Sequence, residues 1–428
     1  MRYEPISSSL FAAHRHAFVK QMKKNSMAIF FSNDAMPRSG DQTFPFRQDA
    51  DLFALSGLDQ PGTILVLNPG ASDSAMREFV FILSPDPIHT VWNGKRYSKK
   101  DASQLSGIQN IYTLGQWSRV MTPLLESAHV LYLNASLNEN LLHRVLNQNE
   151  RRGVELQNAW PKITFLSARP LLQKQMMIKH PIEIELMKKA ISVTGKAFEE
   201  VLKVIRPGLR EFEVEAELTR EIIRSGCQHA FEPIVASGKS ACTLHYTRND
   251  GLLRKGTLVL LDFGAEYAGM ASDMSRTIPV SGRFTKRQRE IYMAVWEVLN
   301  GVMDMMRPGI TIAQLNAETG KLMDSALIRL KLLTRQDLRR QDPSRPLRKK
   351  YFMHGVSHHL GWDVHDKHEP GAELKPGMVL TCEPGLYLAE EKTGIRLEND
   401  ILISRGTSIN LMKHIPIDPD EIEGLMNQ

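Results

Sequence analysis

Residues 260–280 read LLDFGAEYAGMASDMSRTIPV, a run in which Asp262 and Asp273 stand eleven positions apart. Apolar residues from Leu258 to Leu261 lead into the first aspartate, and Gly264 and Gly269 punctuate the stretch between the two acids. The pattern predicts a hairpin that turns near Tyr267 to Gly269 and returns both carboxylates to one region of a sheet. Aspartate is disfavoured in strands, and a carboxylate carried on a buried strand must be paired or metal-bound. The plain alternative is a pair of solvent-facing acids.

The same anomaly recurs further along the chain. PGMVLTCEPGLYL (376–388) places Glu383 at the end of an apolar strand, just before a Pro-Gly turn. TGIRLENDILI (393–403) places Glu398 in an otherwise apolar strand, two residues after Arg396. Between these and the aspartates lies HGVSHHLGWDVHD (354–366), with His354, His358, His359, His365 and Asp366; counting His368, five of the fourteen histidines fall within fifteen residues. Neutral imidazole is the commonest protein metal ligand and the natural acid or base near neutral pH. Gly355 and Gly361 favour close backbone approach, which argues for a site over a surface accident.

Two Asp, two Glu and one His form a hard, oxygen-rich set that suits Mn²⁺, Fe²⁺ or Co²⁺ better than a structural zinc site made of thiolates. Four negative charges exceed what one divalent ion needs. Two ions about 3.5–4 Å apart would balance them and could hold a hydroxide between them.

The surrounding chain frames this cluster. Phe11 to Lys24 predicts a basic amphipathic helix, and Met27 to Ser32, Thr63 to Leu67 and Phe79 to Leu83 predict strands, so the first 170 or so residues read as an α/β domain. From about Lys174 the texture changes: IKHPIEIELMKKAISVTGKAFEEVLKVIRPG (178–208) is a helix that starts near a proline and stops at Pro207-Gly208. A second helix follows over about 211–225, and another runs from Lys286 to Met306 before the stop at Arg307 to Gly309. The two Arg-Pro-Gly stops, each followed by a new amphipathic helix, fit either two similar halves or one convenient helix stop used twice. RQDLRRQDPSRPLRKK (335–350) is basic and lacks interleaved aromatics, so it reads as a solvated loop and not as a nucleic-acid patch.

With 428 residues, 42% apolar and 24% charged, the chain is long enough for two or three domains and far from the composition of disorder. A net charge of +6 is mild for this length and does not support a nucleic-acid partner unaided. Three cysteines, Cys227, Cys242 and Cys382, form neither a disulfide framework nor a zinc-ribbon spacing. With no signal-peptide core and no apolar stretch of membrane length, the expectation is a soluble cytoplasmic protein.

LLDFGAEYAGMASDMSRTIPV, LHYTRND (244–250), HGVSHHLGWDVHD, LTCEPGLY and GIRLENDILI occur in the order and spacing of the pita-bread metallopeptidases, and most resemble the aminopeptidase P family. FPFRQDADLFALSGLDQPGTILVLNP (44–69) resembles that family's non-catalytic N-terminal domain. The resemblance implies an α/β N-terminal domain over 1–173 and an α+β pita-bread catalytic domain over 174–428. It implies two divalent ions, usually manganese, with Asp273 and Glu398 bridging, Asp262 chelating one ion, and His358 with Glu383 binding the other. It further implies His245, His354 and His365 as substrate-site histidines, Arg396 beside the bridging glutamate to orient Glu398 or a nearby acid, and Trp92 in VWNGKR lining the pocket of a neighbouring subunit. The family reaction removes the N-terminal residue from peptides with proline second, by attack of a metal-bridging hydroxide with Glu383 moving the proton. The implied assembly is a homodimer or homotetramer. Asn399 stands where the family pattern leads one to expect Asp. The competing readings are a prolidase, which shares the five ligands but cleaves only Xaa-Pro dipeptides, and a non-catalytic pita-bread binding module.

Overall fold

A computed structural model of the chain describes residues 2–134 and 145–428, which fall into two compact units, Tyr3–Gln175 and Met176–Gln428.

Among the described residues the first unit carries a mixed six-stranded sheet in the order Ile111–Thr113, Glu78–Ile82, Ile64–Leu67, Ser26–Phe31, Val130–Leu133, Thr164–Ser167. Ser26–Phe31 pairs antiparallel with Ile64–Leu67 and parallel with Val130–Leu133. It is buried along its whole length, which is why its sequence is a continuous apolar run and not an alternation. Met27, Ile29 and Phe31 pack with Phe79, Phe81, Met121 and Leu125, each such burial stabilising the unit by about 1.5–3 kcal/mol. The first helix, Ser8–Gln21, begins earlier than its apolar periodicity indicates, because the Ser7 side chain accepts from the Ser9 N–H and caps it.

The second unit alternates long helices with short antiparallel strand pairs. Pro181–Val204 starts with Pro181 in the first turn and His180 as its cap. The two Arg-Pro-Gly stops are corresponding points of a repeat. Gly208 and Gly309 lie in the left-handed region at φ +98° and +88°, where a side chain would be strained. Gly208 N–H donates to Leu253 C=O at 2.9 Å and Gly309 N–H to Leu374 C=O at 3.0 Å; the return bonds, Leu253 to Leu209 and Leu374 to Ile310, are both 2.8 Å.

Each half then sends a strand into the site and a partner strand back. Leu258–Phe263 pairs with Met274–Pro279, with Asp262 opposite Ser275; Val379–Cys382 pairs with Asn399–Leu402, with Cys382 opposite Asn399. Asp273 and Glu398 therefore occupy the same place in the two halves, one residue before the returning strand. Glu398 is thus not inside a strand, as its apolar neighbours imply, but in the two-residue link between Thr393–Arg396 and Asn399–Leu402, which belong to different sheets.

The hairpin from Asp262 to Asp273 turns at Ala268-Gly269, both at positive φ. It splits at Gly264, where an added Cβ would lie 1.7 Å from the Ser272 carbonyl oxygen. Beyond the split, Ala265–Tyr267 pairs with Met270–Ala271 in a separate small sheet.

The basic 335–350 stretch is not a plain loop. Arg335–Arg340 is a short helix with a Thr334/Asp337 capping box, and Leu347–Lys350 is a 3₁₀ turn. The box, Thr followed three residues later by Asp, is the local cue that the charge pattern obscures.

Candidate metal centre

Asp262, Asp273, His358, Glu383 and Glu398 converge in the second unit. One atom each of Asp273, His358 and Glu398 lie within 4.8 Å of one another. His358 Nε2 is 3.4 Å from Asp273 Oδ2 and 3.6 Å from Glu383 Oε1. The other ring nitrogen settles the tautomer: His358 Nδ1 is 3.0 Å from the His359 carbonyl oxygen, which can only accept, so Nδ1 carries the hydrogen. In the neutral ring Nε2 then presents a lone pair to carboxylate oxygens with no hydrogen between them. A convergence of acceptors of this kind is held together by a cation at its centre.

The carboxylates give the same account. Burial, and then mutual repulsion, pushes Asp273 and Glu398 well above the usual carboxylate range. Burial also raises Glu383, against the opposing influence of His358 and Arg396. Asp262 Oδ1 and Asp400 Oδ1 have no hydrogen-bond partner among the described residues. The donor set is hard and oxygen-rich, and it fits divalent cations.

Arg396 does not grip Glu398 directly. Its Nη2 donates to Asp262, its Nε to Ser275 Oγ at 2.8 Å, and its Nη1 to the Tyr387 hydroxyl at 2.8 Å. Ser275 Oγ in turn donates to Glu398 Oε2 at 2.8 Å, so one guanidinium holds an acid from each half. Because Arg396 already donates to the Tyr387 oxygen, the Tyr387 hydrogen is free to go to His354 Nε2, 2.8 Å away. His354 Nδ1–H then donates to Gly355 C=O at 2.6 Å. Burial, and then the Arg396 charge, pushes His354 down to about 4, so it stands as a neutral ring of fixed tautomer.

The His365 ring packs edge-on against His358 at 4.2 Å and is pushed down to about 4, chiefly by burial. His245 is exposed. Two members of the histidine-rich run have other work: His359 is buried and stacks on His368 at 5.1 Å, and Asp366 pairs with Lys179 at 2.6 Å. Trp92 belongs to the first unit, exposed on the helix Pro87–Asn93. Asn399, where an acid is expected, accepts from the buried Arg276 at 2.9 Å. Tyr387, Ser275 and Thr381, which hold the charged groups in place, were not singled out from sequence; their hydroxyls on otherwise apolar strands are the trace they leave there.

The family model for metallopeptidase family M24 matches residues 185–405, and that for the aminopeptidase P N-terminal domain matches residues 11–132. The Xaa-Pro aminopeptidase of Escherichia coli strain K12 is 35% identical, with 98% of each chain covered. The chain belongs to the aminopeptidase P family. Solved E. coli structures of that family superpose over 99% of both chains at 32% identity: one with the inhibitor Pro-Leu at TM-score 0.89, and one zinc-substituted with product at TM-score 0.90. The aminopeptidase P architecture, an α/β N-terminal domain followed by a pita-bread domain, is thus the architecture of this chain. As a family M24 member it is a metal-dependent hydrolase acting as an aminopeptidase, and these relatives do not favour the prolidase alternative.

Proposed function

We propose that the chain removes the N-terminal residue from peptides with proline in second position, using two Mn²⁺ ions, in the cytoplasm. Residues 174–428 form the catalytic domain and residues 1–173 the non-catalytic one. The observation that carries this reading is the His358 Nε2 atom facing carboxylate oxygens of Asp273 and Glu383 at 3.4 and 3.6 Å.

Asp273 and Glu398 would serve both ions, Asp262 would complete the hold on one, and His358 with Glu383 would hold the other. Bound there, divalent ions supply an activated water and polarisation of the scissile carbonyl. Glu383 carries a proton toward the departing prolyl nitrogen. His245, His354 and His365 stabilise the developing oxyanion and seat the proline ring, and Arg396 fixes Asp262. An Xaa-Pro bond has no N–H and a ring-constrained backbone, so a site that acts on the carbonyl and the ring suits it better than one that grips an amide donor.

The chain is further proposed to work as a homodimer or homotetramer in which Trp92 of one subunit lines the pocket of its neighbour. Ile88, Val91 and Trp92 are respectively 74%, 83% and 77% exposed, and a partner surface gives such a cluster a place to be buried.

Metal analysis of purified protein, followed by an assay on Xaa-Pro dipeptides against Xaa-Pro-Xaa tripeptides with mass detection of the released residue, tests the reading. Bound or activating Mn²⁺ with tripeptide hydrolysis is expected. Hydrolysis of dipeptides alone, or the absence of any bound or activating divalent ion, overturns it.

A further inference from the structure

His245 rides on the segment that links the strand Ile234–Ser237 to Gly251. Its neighbours alternate: Thr243, His245 and Thr247 are exposed, while Leu244 and Tyr246 are half-buried and pack with Cys242 against Ile234, Ala236, Ala241, Leu260 and Tyr387. The backbone turns at Leu244–His245, and the side chain that follows His245 in the chain, Tyr246, is the packed one.

Tyr246 reaches a carboxylate. Its hydroxyl lies 2.9 Å from Glu211 Oε2, at the first turn of the helix Glu211–Arg224. Glu211 is fully buried and charged groups in that position must be fully hydrogen-bonded. Oε2 also accepts from Gly251 N–H at 2.7 Å, and Oε1 accepts from both the N–H and the hydroxyl of Ser237 at 2.7 Å. Ser237 and Gly251 bracket the segment, so a single carboxylate ties both its ends and its middle. Gly251 has to be glycine for this: an added Cβ would fall 2.7 Å from Glu211 Oε1. One turn further along the helix, Glu215 accepts at 2.8 Å from Asn249, whose side chain also bonds Val235 N–H and Pro233 C=O at 2.9 Å. The Tyr246 hydroxyl is shared with the exposed Asp250, also at 2.9 Å. These bonds bind no metal ligand.

Resting on the reading of His245 as a substrate-site histidine, we infer that Glu211, acting through Tyr246, is a positioning residue that holds His245 at the angle the reaction needs. Misplacing a contact group by about an ångström costs up to a hundredfold in rate, so a helix remote from the metals has leverage over catalysis.

The test is a double-mutant cycle on the full-length, Mn²⁺-loaded enzyme with an Xaa-Pro-Xaa tripeptide. Y246F removes the hydroxyl and keeps the packed ring; E211Q keeps the shape and adds donors where four donors already point. Y246F should lower kcat/KM about tenfold, with metal content unchanged and the loss falling on the same constant, kcat or KM, that H245A alters. In an H245A background, Y246F should cost less than about twofold more, since contacting residues that act as a unit are non-additive. E211Q should reproduce the Y246F pattern with a larger loss; if it does not fold, the Y246F cycle alone decides. Equal losses from Y246F with and without His245, or a loss on the other kinetic constant, overturn the inference. An H245A enzyme of undiminished activity instead overturns the role given to His245 in the proposed function, and this inference with it.

Discussion

In the first unit Asp49 and Asp51 are buried beside asparagines: Asp49 Oδ1 accepts from Asn134 at 3.2 Å and from Leu52 N–H at 2.9 Å, its Oδ2 from Asn149 at 3.4 Å, and Asp51 Oδ2 from Asn134 at 2.9 Å. In the second unit Asp273, Glu383 and Glu398 are buried facing one another and His358 Nε2. Both arrangements bury acids, but the first sets amide donors against its oxygens and the second brings its acids together around His358. The first serves the fold; the second suits a cation and serves chemistry. What separates a structural acid from a ligand is thus what its oxygens face, not how deeply it lies.

The largest effect expected from breaking this contrast is at Asp273. Asp273→Ala should lower kcat/KM roughly a thousandfold or more, while in chelator its melting temperature should be no lower than that of the parent, because one of several mutually repelling buried charges is gone. A folded, fully active variant would refute the assignment. Tyr387→Phe comes next: without the hydroxyl, His354 loses its tautomer lock and Arg396 one acceptor, and kcat/KM should fall about tenfold with metal content retained, as elemental analysis would show.

A pH series in chelator reads the same contrast without substitution. Asp273, Glu383 and Glu398 all have folded-state values raised above the ordinary range. The native state then binds more protons than the unfolded chain, so stability falls as pH rises. The contribution is fully present below about pH 4, the ordinary carboxylate value, and is lost as pH climbs through the raised values. Metal-free protein should therefore melt progressively lower from about pH 4 to neutrality, and divalent ions should flatten the curve; a curve unchanged by chelator would refute the cation requirement. The smallest catalytic effect belongs to the first unit: Asp49→Ala should cost about 1–2 kcal/mol through a lost helix cap and lost amide bonds, seen in denaturant melts, with kcat/KM of folded enzyme unchanged.

The sequence made the charged groups legible because acids and histidines in apolar strands break local rules at Asp262, Glu383 and the 354–368 run. It left two points unresolved: whether the Arg-Pro-Gly stops mark a repeat, and which acid Arg396 serves. Both depend on pairings between distant strands, Leu253 with Leu209 and Arg396 with Asp262, which no local pattern carries. Glu398 reads as part of one apolar strand because burial in a short link and burial in a strand leave the same apolar neighbours. Tyr387, Ser275 and Glu211 escaped for a different reason: each hides its polarity in bonds to partners distant in the chain, and such partners are known only once the chain is folded.

The two halves of the second unit also set a schedule. Arg396 and Asp262 are 134 residues apart in the chain, and synthesis delivers Asp262 and Asp273 well before Glu383, Arg396 and Glu398. Two aspartates on an emerging hairpin lack the histidine, the glutamates and the arginine, so a partly made chain holds no working centre. A peptidase organised this way completes its site only when both halves of the second unit are made and folded together.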